Sequence, residues 1–176
     1  MQAHATEDIA QVPVFLAAEG RVLLCTPKAA KFHSTTFQNR HFKQLVELLR
    51  IVHQNGLVHW DVRFVNIFVM SNGNALLNDW GSAVELGWRL CIFELPIHSS
   101  LGVQTAVQGC PPHWRHPELN TAWAVPRPKH DLYSLVKSYR GLFPPSGVAT
   151  ALSAAFAQAF AAVEMEDYDK VVEALQ

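Results

Sequence analysis

The stretch whose reading decides this chain is HWDVRFVNIF, His59–Phe68. Apolar residues flank it, Leu57-Val58 before and Ile67-Phe68-Val69-Met70 across its end. Between them stand a histidine, an aspartate, an arginine and an asparagine. A strand has no use for such side chains, and an ordinary turn needs one or two of them for local hydrogen bonds. This much polar chemistry between strand-like runs points to a functional loop carried on a rigid scaffold.

Reading toward the C-terminus, NIFVMS and NALLNDW are joined by SNGN, in which Asn72-Gly73 predicts a tight hairpin. That hairpin returns Asp79 beside the loop, since antiparallel strands lie about 4.8 Å apart. Reading toward the N-terminus, Phe42, Leu45, Leu49 and Val52 recur at helical spacing until Gly56 stops the pattern. Ser34, Thr35 and Thr36 offer capping oxygens for that helix. Further upstream, VPVFLAAEGRVLLCTP reads as two short strands turning at Glu19-Gly20 and closed by Pro27. Beyond Trp80, prolines recur from Pro96 to Pro128, which predicts a long ordered loop with a short helix around Glu85–Glu94. DLYSLVKSYRGLF and GVATALSAAFAQAFAAVEM then read as helices, and DYDKVVEALQ as a last one starting at Asp167 or Asp169. The Ala-Phe stripe from Ala151 to Val163 reads as a packing face. The resulting class is α+β, mainly helical.

Composition narrows the function. The chain has 176 residues, enough for one domain with a sizeable core, 49% hydrophobic and only 16% charged. A net charge of −1 offers no electrostatic footprint for nucleic acid or a membrane surface. Cys25, Cys91 and Cys110 are odd in number and widely spaced, which fits a reducing compartment rather than a disulfide framework. MQAHATEDIA lacks the pattern of a signal peptide, and ALSAAFAQAFAAV is too short to span a bilayer. These features predict an intracellular protein of the cytoplasm or nucleus. Cys110, His113 and His116 lack the second ligand pair that a zinc site needs.

HWDVRFVNIF resembles the catalytic loop of protein kinases, His-Arg-Asp-Leu-Lys-Pro-x-Asn, with His59, Asp61 and Asn66 at the matching positions. DWGSA at Asp79 resembles the metal-binding Asp-Phe-Gly, one hairpin after Asn66. GCPPHWRHPEL, with Pro117-Glu118, looks like the end of an activation segment. HDLYSLV looks like the start of the large central helix of the kinase C-lobe, with Asp131 as its anchor. Asp61 and Asn66 alone could be turn residues; four elements in order argue otherwise.

The resemblance implies a set of roles. Asp61 would be the catalytic base, and Asn66 and Asp79 would bind Mg²⁺ for ATP. Arg63, where the family usually has lysine, would hold the transferring phosphate. His59, Asp131 and Glu118 would support the site structurally, His59 by bracing the metal-binding turn. The implied reaction moves the ATP γ-phosphate to a protein hydroxyl.

The chain also departs from the family. No G-x-G-x-x-G occurs in it, and neither the strand lysine nor the glutamate-bearing helix of an N-lobe is recognisable. Residues 12–28 read as hinge strands, a two-strand remnant of the N-lobe, and 34–176 as the C-lobe. The N-lobe is then removed, encoded elsewhere, or absent from a minimal protein. Its uncovered surface is expected to be open or to meet another copy of the chain, a homo-oligomer. A non-catalytic, pseudokinase-like binding module or effector scaffold is the alternative class, and either class implies a protein substrate or partner. Trp60 replaces the arginine that reads a phosphorylated activation loop, which argues against that mode of control. Glu118 loses its usual late arginine, so Arg140 or Arg115 is the expected substitute. HWDVRFVN, the Asp-Trp turn and the terminal MEDYDKVVEAL resemble the kinase-type domains of crinkler-family effectors and related fungal kinase-like proteins, which would place the protein in a host cell. NDWG is also similar to the metal motif of aminoglycoside-type phosphotransferases.

Overall fold

A computed structural model describes residues 14–18, 21–25, 29–31, 37–87, 90–91, 113–119, 123–143 and 150–176. Strands β1 (Val14–Ala18) and β2 (Arg21–Cys25) form an antiparallel pair in register from Val14–Cys25 to Ala18–Arg21. The predicted turn at Glu19-Gly20 and the closing Pro27 lie outside the described residues. A strand with no sequence prediction, β3 (Ala29–Lys31), follows and becomes the edge of the sheet that carries the site.

Helix α1 (Asn39–Gln54) buries Phe42, Leu45, Val46, Leu49 and Val52 on one stripe, each fully buried leucine contributing about 1.5–3 kcal/mol. The proposed caps Ser34–Thr36 lie outside the described residues. At the observed start, the Gln38 N–H is taken by His41 Nδ1 at 2.9 Å. At the other end the chain turns through Gly56 at φ 78, and its N–H reaches the His53 carbonyl at 3.0 Å.

After α1 come β4 (Leu57–Val58), β5 (Ile67–Met70) and β6 (Ala75–Leu77). β5 and β6 form the predicted hairpin, with Gly73 at φ 80 in its turn, and β3 completes a three-stranded sheet. Helix α1 grips this hairpin with polar side chains. His41 Nε2 donates to the Gly73 carbonyl at 2.8 Å, and Gln44 Oε1 accepts the Ala75 N–H at 2.9 Å.

Two predictions need correction. GLVHW is extended only at Leu57–Val58, because the next two N–H groups are taken by a buried carboxylate rather than a strand partner. The helix predicted around Glu85–Glu94 is absent from the described residues there. Instead β7 (Val84–Glu85) pairs with β4, Gly87 turns at φ 85, and β8 (Leu90–Cys91) pairs with β9 (Trp123–Ala124). A left-handed glycine with partnered strands on both sides gives the described residues 85–87 and 90–91 no helical option.

The bulk of the core is helical. Helix α2 (Pro128–Arg140) begins with a proline, whose missing N–H costs nothing in a first turn, and buries Leu132, Leu135 and Val136. Helix α3 (Thr150–Glu164) buries Phe156, Ala159, Ala162 and Val163, the Ala-Phe packing face. Helix α4 (Tyr168–Ala174) is capped by Asp167, which accepts the Lys170 N–H at 3.1 Å, and buries Val171. All four helices share one cluster with Ile67, Ala75 and Leu77 of the hairpin. Val58, Trp60 and Leu119 form a smaller satellite.

Candidate active site

The site is built around a single buried carboxylate. Asp131, in the first turn of α2, is 1% exposed and accepts the His59 N–H at 2.7 Å and the Trp60 N–H at 2.9 Å. A third donor, His53 Nε2 on α1, lies 3.0 Å from the same carboxylate. Burial alone would raise this carboxyl group, but the hydrogen bonds from His53 and from the His59 N–H hold it below the usual carboxylate range. Accepting two successive N–H groups bends the chain, and Trp60 sits at φ 69. That conformation costs an ordinary residue roughly 1–2 kcal/mol, which the surrounding bonds offset.

From this anchor the loop runs through Asp61 to a single 3-10 turn, Phe64–Asn66, and into β5. Asp61 is 3% exposed. Asn66 Nδ2 donates to both the Asp61 carbonyl and Asp61 Oδ2, each at 2.8 Å. Asp61 Oδ1 faces Arg63 Nε at 2.9 Å, an ion pair without hydrogen-bond alignment, so both atoms lack a hydrogen-bond partner among the described residues.

Asp79 is delivered by the hairpin. The Asn78 N–H donates to the Asn66 carbonyl at 2.8 Å, extending the β5–β6 ladder by one rung. The Asn78 carbonyl accepts from His59 Nε2 at 3.0 Å. The next residue, Asp79, is exposed, with φ 60 and ψ 63, and Trp80 Nε1 pins the turn to the Leu77 carbonyl at 3.0 Å. His59 thus stands between the two halves. Its Nδ1 faces the Asp61 N–H at 3.3 Å, which assigns the ring proton to Nε2. Burial pushes His59 down against the pull of Asp131 and the Asn78 carbonyl, so the ring is neutral at neutral pH.

Glu118, also expected to support the site, lies in the 3-10 turn Pro117–Leu119 and finds its partners at the start of α2, Lys129 and His130. Arg140, one of the two arginines named as substitutes, is at the far end of that helix. Burial would raise Glu118, but hydrogen bonds from Lys129 and His130 lower it to about 2. Lys129 also reaches Glu164 of α3 at 3.2 Å, and His116 Nε2 lies 2.6 Å from Glu164. Cys110 is outside the described residues. His116, Glu118 and His130 bring ligand-type atoms within 4.8 Å of one another, yet their chemistry is wrong for a metal. Both Nδ1 atoms face backbone N–H groups, of Glu118 at 3.3 Å and Arg127 at 3.1 Å, so each Nε2 carries its proton into the cluster, beside the Lys129 ammonium.

Sequence reasoning missed His53, Lys129, His130 and Glu164. His53 alone had a signal, as a polar residue directly after Val52 of the apolar stripe of α1. Trp60 is a buried filler, its ring edge-on to His130 at 5.6 Å.

A buried helix-borne aspartate holding the loop of Asp61 and Asn66, with Asp79 returned by a hairpin, is the arrangement of a protein-kinase-like C-lobe. The chain has that fold. A chain in the crystal structure of the yeast RNA Pol II CTD kinase CTDK-1 complex superposes with a TM-score of 0.51 at 18% identity, covering 81% of this chain and 46% of that one. Mitogen-activated protein kinase kinase kinase 4 of Mus musculus is 33% identical over 60 residues, 34% of this chain and 4% of that protein. Mitogen-activated protein kinase kinase kinase 3 of Mus musculus is 30% identical over 96 residues, 54% of this chain and 14% of that protein. A serine/threonine-protein kinase of Mycosarcoma maydis, SMU1, is 29% identical over 93 residues, 53% of this chain and 11% of that protein. The chain therefore spans a small part of the curated relatives it matches. No protein-family model matches it. Among the described residues, no helix is long and apolar enough to cross a membrane.

Proposed function

We propose that this chain is the catalytic C-lobe of a protein-kinase-like phosphotransferase that moves the ATP γ-phosphate to a protein hydroxyl. The observation that carries the reading is the coupling of Asp61, Asn66 and the Asp79 turn through direct bonds: Asn66 to Asp61, and Asn78 to Asn66 and His59. On this reading residues 12–28 supply hinge strands and 34–176 the C-lobe.

Asp61 is the base. Its carboxylate is oriented by Asn66 Nδ2 on one oxygen and Arg63 on the other, and it takes the proton of the incoming hydroxyl. The planar guanidinium fork of Arg63 suits phosphate oxygens, so it passes from Asp61 to the transferring phosphate. Asn66 and the exposed Asp79 fit Mg²⁺: turning Nδ2 toward Asp61 leaves Asn66 Oδ1 as a hard acceptor, and the Asp79 carboxylate is accessible. When bound, magnesium supplies charge neutralisation on the phosphates. His59 keeps the two ligand-bearing segments in register, and Asp131 keeps the loop in one shape.

The test is transfer of labelled γ-phosphate from ATP to a generic protein substrate. Asp61→Ala should lower it about 10²–10⁴-fold. Transfer insensitive to that change, or absent with every substrate tried, would sink the proposal. The absence of a G-x-G-x-x-G from these 176 residues favours a second reading, a binding module that keeps the kinase shape. ATP with Mg²⁺ separates the two: at a hundred times its Kd a ligand stabilises by about 2.7 kcal/mol, and a flat thermal response favours the module.

A further inference from the structure

The carboxylate that anchors the loop is itself reached from the last helix. His53 Nδ1 lies 2.6 Å from the Tyr168 hydroxyl at the start of α4, while His53 Nε2 lies 3.0 Å from Asp131. We propose that Tyr168 is a positioning residue for the loop His59–Asn66, acting through His53 and Asp131. Its O–H donates to His53 Nδ1, which fixes the histidine as the neutral tautomer with its proton on Nε2. That N–H then donates to Asp131 Oδ2, the oxygen that also accepts the His59 N–H.

Geometry supports this direction. Burial, reinforced by Glu166 and Asp131, pushes the Tyr168 phenol up, so it remains an O–H donor. The Tyr168 ring packs against two residues of α1, with the His53 ring at 5.9 Å and the Arg50 guanidinium 5.3 Å over its face. Arg50 also pairs with Asp169, so α4 is clamped to α1 one turn from His53. Without the hydroxyl, His53 could rotate or change tautomer, and Asp131 would lose the donor that orients Oδ2. The Trp60 peptide, held at φ 69, is then the first backbone free to relax. The catalytic consequence rests on the phosphotransfer reading; the positioning does not.

The experiment compares the intact chain with Tyr168→Phe, which keeps the ring and removes only the hydroxyl. Nitrogen-15 spectra should show His53 with a bare Nδ1 and a protonated Nε2 in the parent, and lose that single tautomer in the variant. Amide exchange at His59 and Trp60 should speed up about fivefold, the effect of one hydrogen bond, with Leu135 and Val136 of α2 unchanged. Arg50→Met, which loosens the clamp and spares the hydroxyl, should speed exchange at His59 and Trp60 clearly less than Tyr168→Phe does. If transfer is present, kcat falls and the KM for ATP holds. An imidazolium at His53, unchanged exchange in Tyr168→Phe, equal acceleration at Leu135 and Val136, or an equal effect of Arg50→Met would overturn the proposal. An exchange effect in a chain without transfer upholds the positioning and counts against the phosphotransfer reading alone.

Discussion

Asp131 shows how one side chain can hold a loop that does not hold itself. Its two oxygens satisfy His59 N–H, Trp60 N–H and His53 Nε2–H in a site buried from bulk solvent. Removing it leaves buried donors unpaired at about 1–3 kcal/mol each, so Asp131→Ala should cost about 3–5 kcal/mol in a urea titration. Asp131→Asn is the sharper probe. It keeps the shape, but its amide NH₂ must face an N–H at one of the two positions, so we expect a loss of about 1–3 kcal/mol. A neutral result would mean that the loop keeps its shape by other contacts. The grouping of Asp61, Asn66 and the Asp79 turn was legible, because the polar loop and the hairpin after it can both be read along the chain. The role of His53 was not, because its value comes from a residue far along the chain that spacing does not reveal.

At the scale of elements, the hairpin β5–β6 sets where Asp79 arrives, and Gly73 sets the hairpin. Gly73 stands at φ 80, and an added Cβ would meet Arg40 Nη2 at 2.8 Å. The arginine end can move aside, so the backbone strain dominates, and Gly73→Ala should destabilise by about 1–2 kcal/mol, measurable by urea unfolding. A change near zero would show that the turn re-forms elsewhere. The hairpin, α1 and the last three helices were legible from periodicity and the Asn72-Gly73 pair, since local rules and tertiary packing agree there. The misread elements are those in which tertiary partners override local preference. β4 stops at Val58 because Asp131 takes the next N–H groups, and the predicted helix from Glu85 yields to strand pairing with Leu57–Val58. β3 is three residues long and depends on β5 for its definition, which no local signal records.

For the whole molecule, the buried histidines predict a response to acid. Burial lowers His41 and His130 from 6.5, outweighing the Gly73 carbonyl at one and Glu118 at the other. A group lowered on folding binds its proton more readily in the unfolded chain, so stability is complete above pH 6.5 and falls as pH drops below it. Each such histidine adds a slope of at most about 1.4 kcal/mol per pH unit. Glu118 acts later: lowered from 4.5 to about 2, it contributes stability that is present above pH 4.5 and lost as pH falls toward 2. Urea titrations from pH 8 to pH 3 should therefore show a plateau, a decline starting near 6.5, and a further decline below 4.5. His130→Gln should reduce the first slope and Glu118→Gln the second, each independently of its effect on absolute stability. A plateau that persists to pH 5 would mean that these rings take up protons as readily in the folded chain as in the unfolded one. The Nδ1 atoms of His41 and His130 would then be unable to accept the N–H groups of Gln38 and Arg127, and α1 and α2 would need other partners at their first turns.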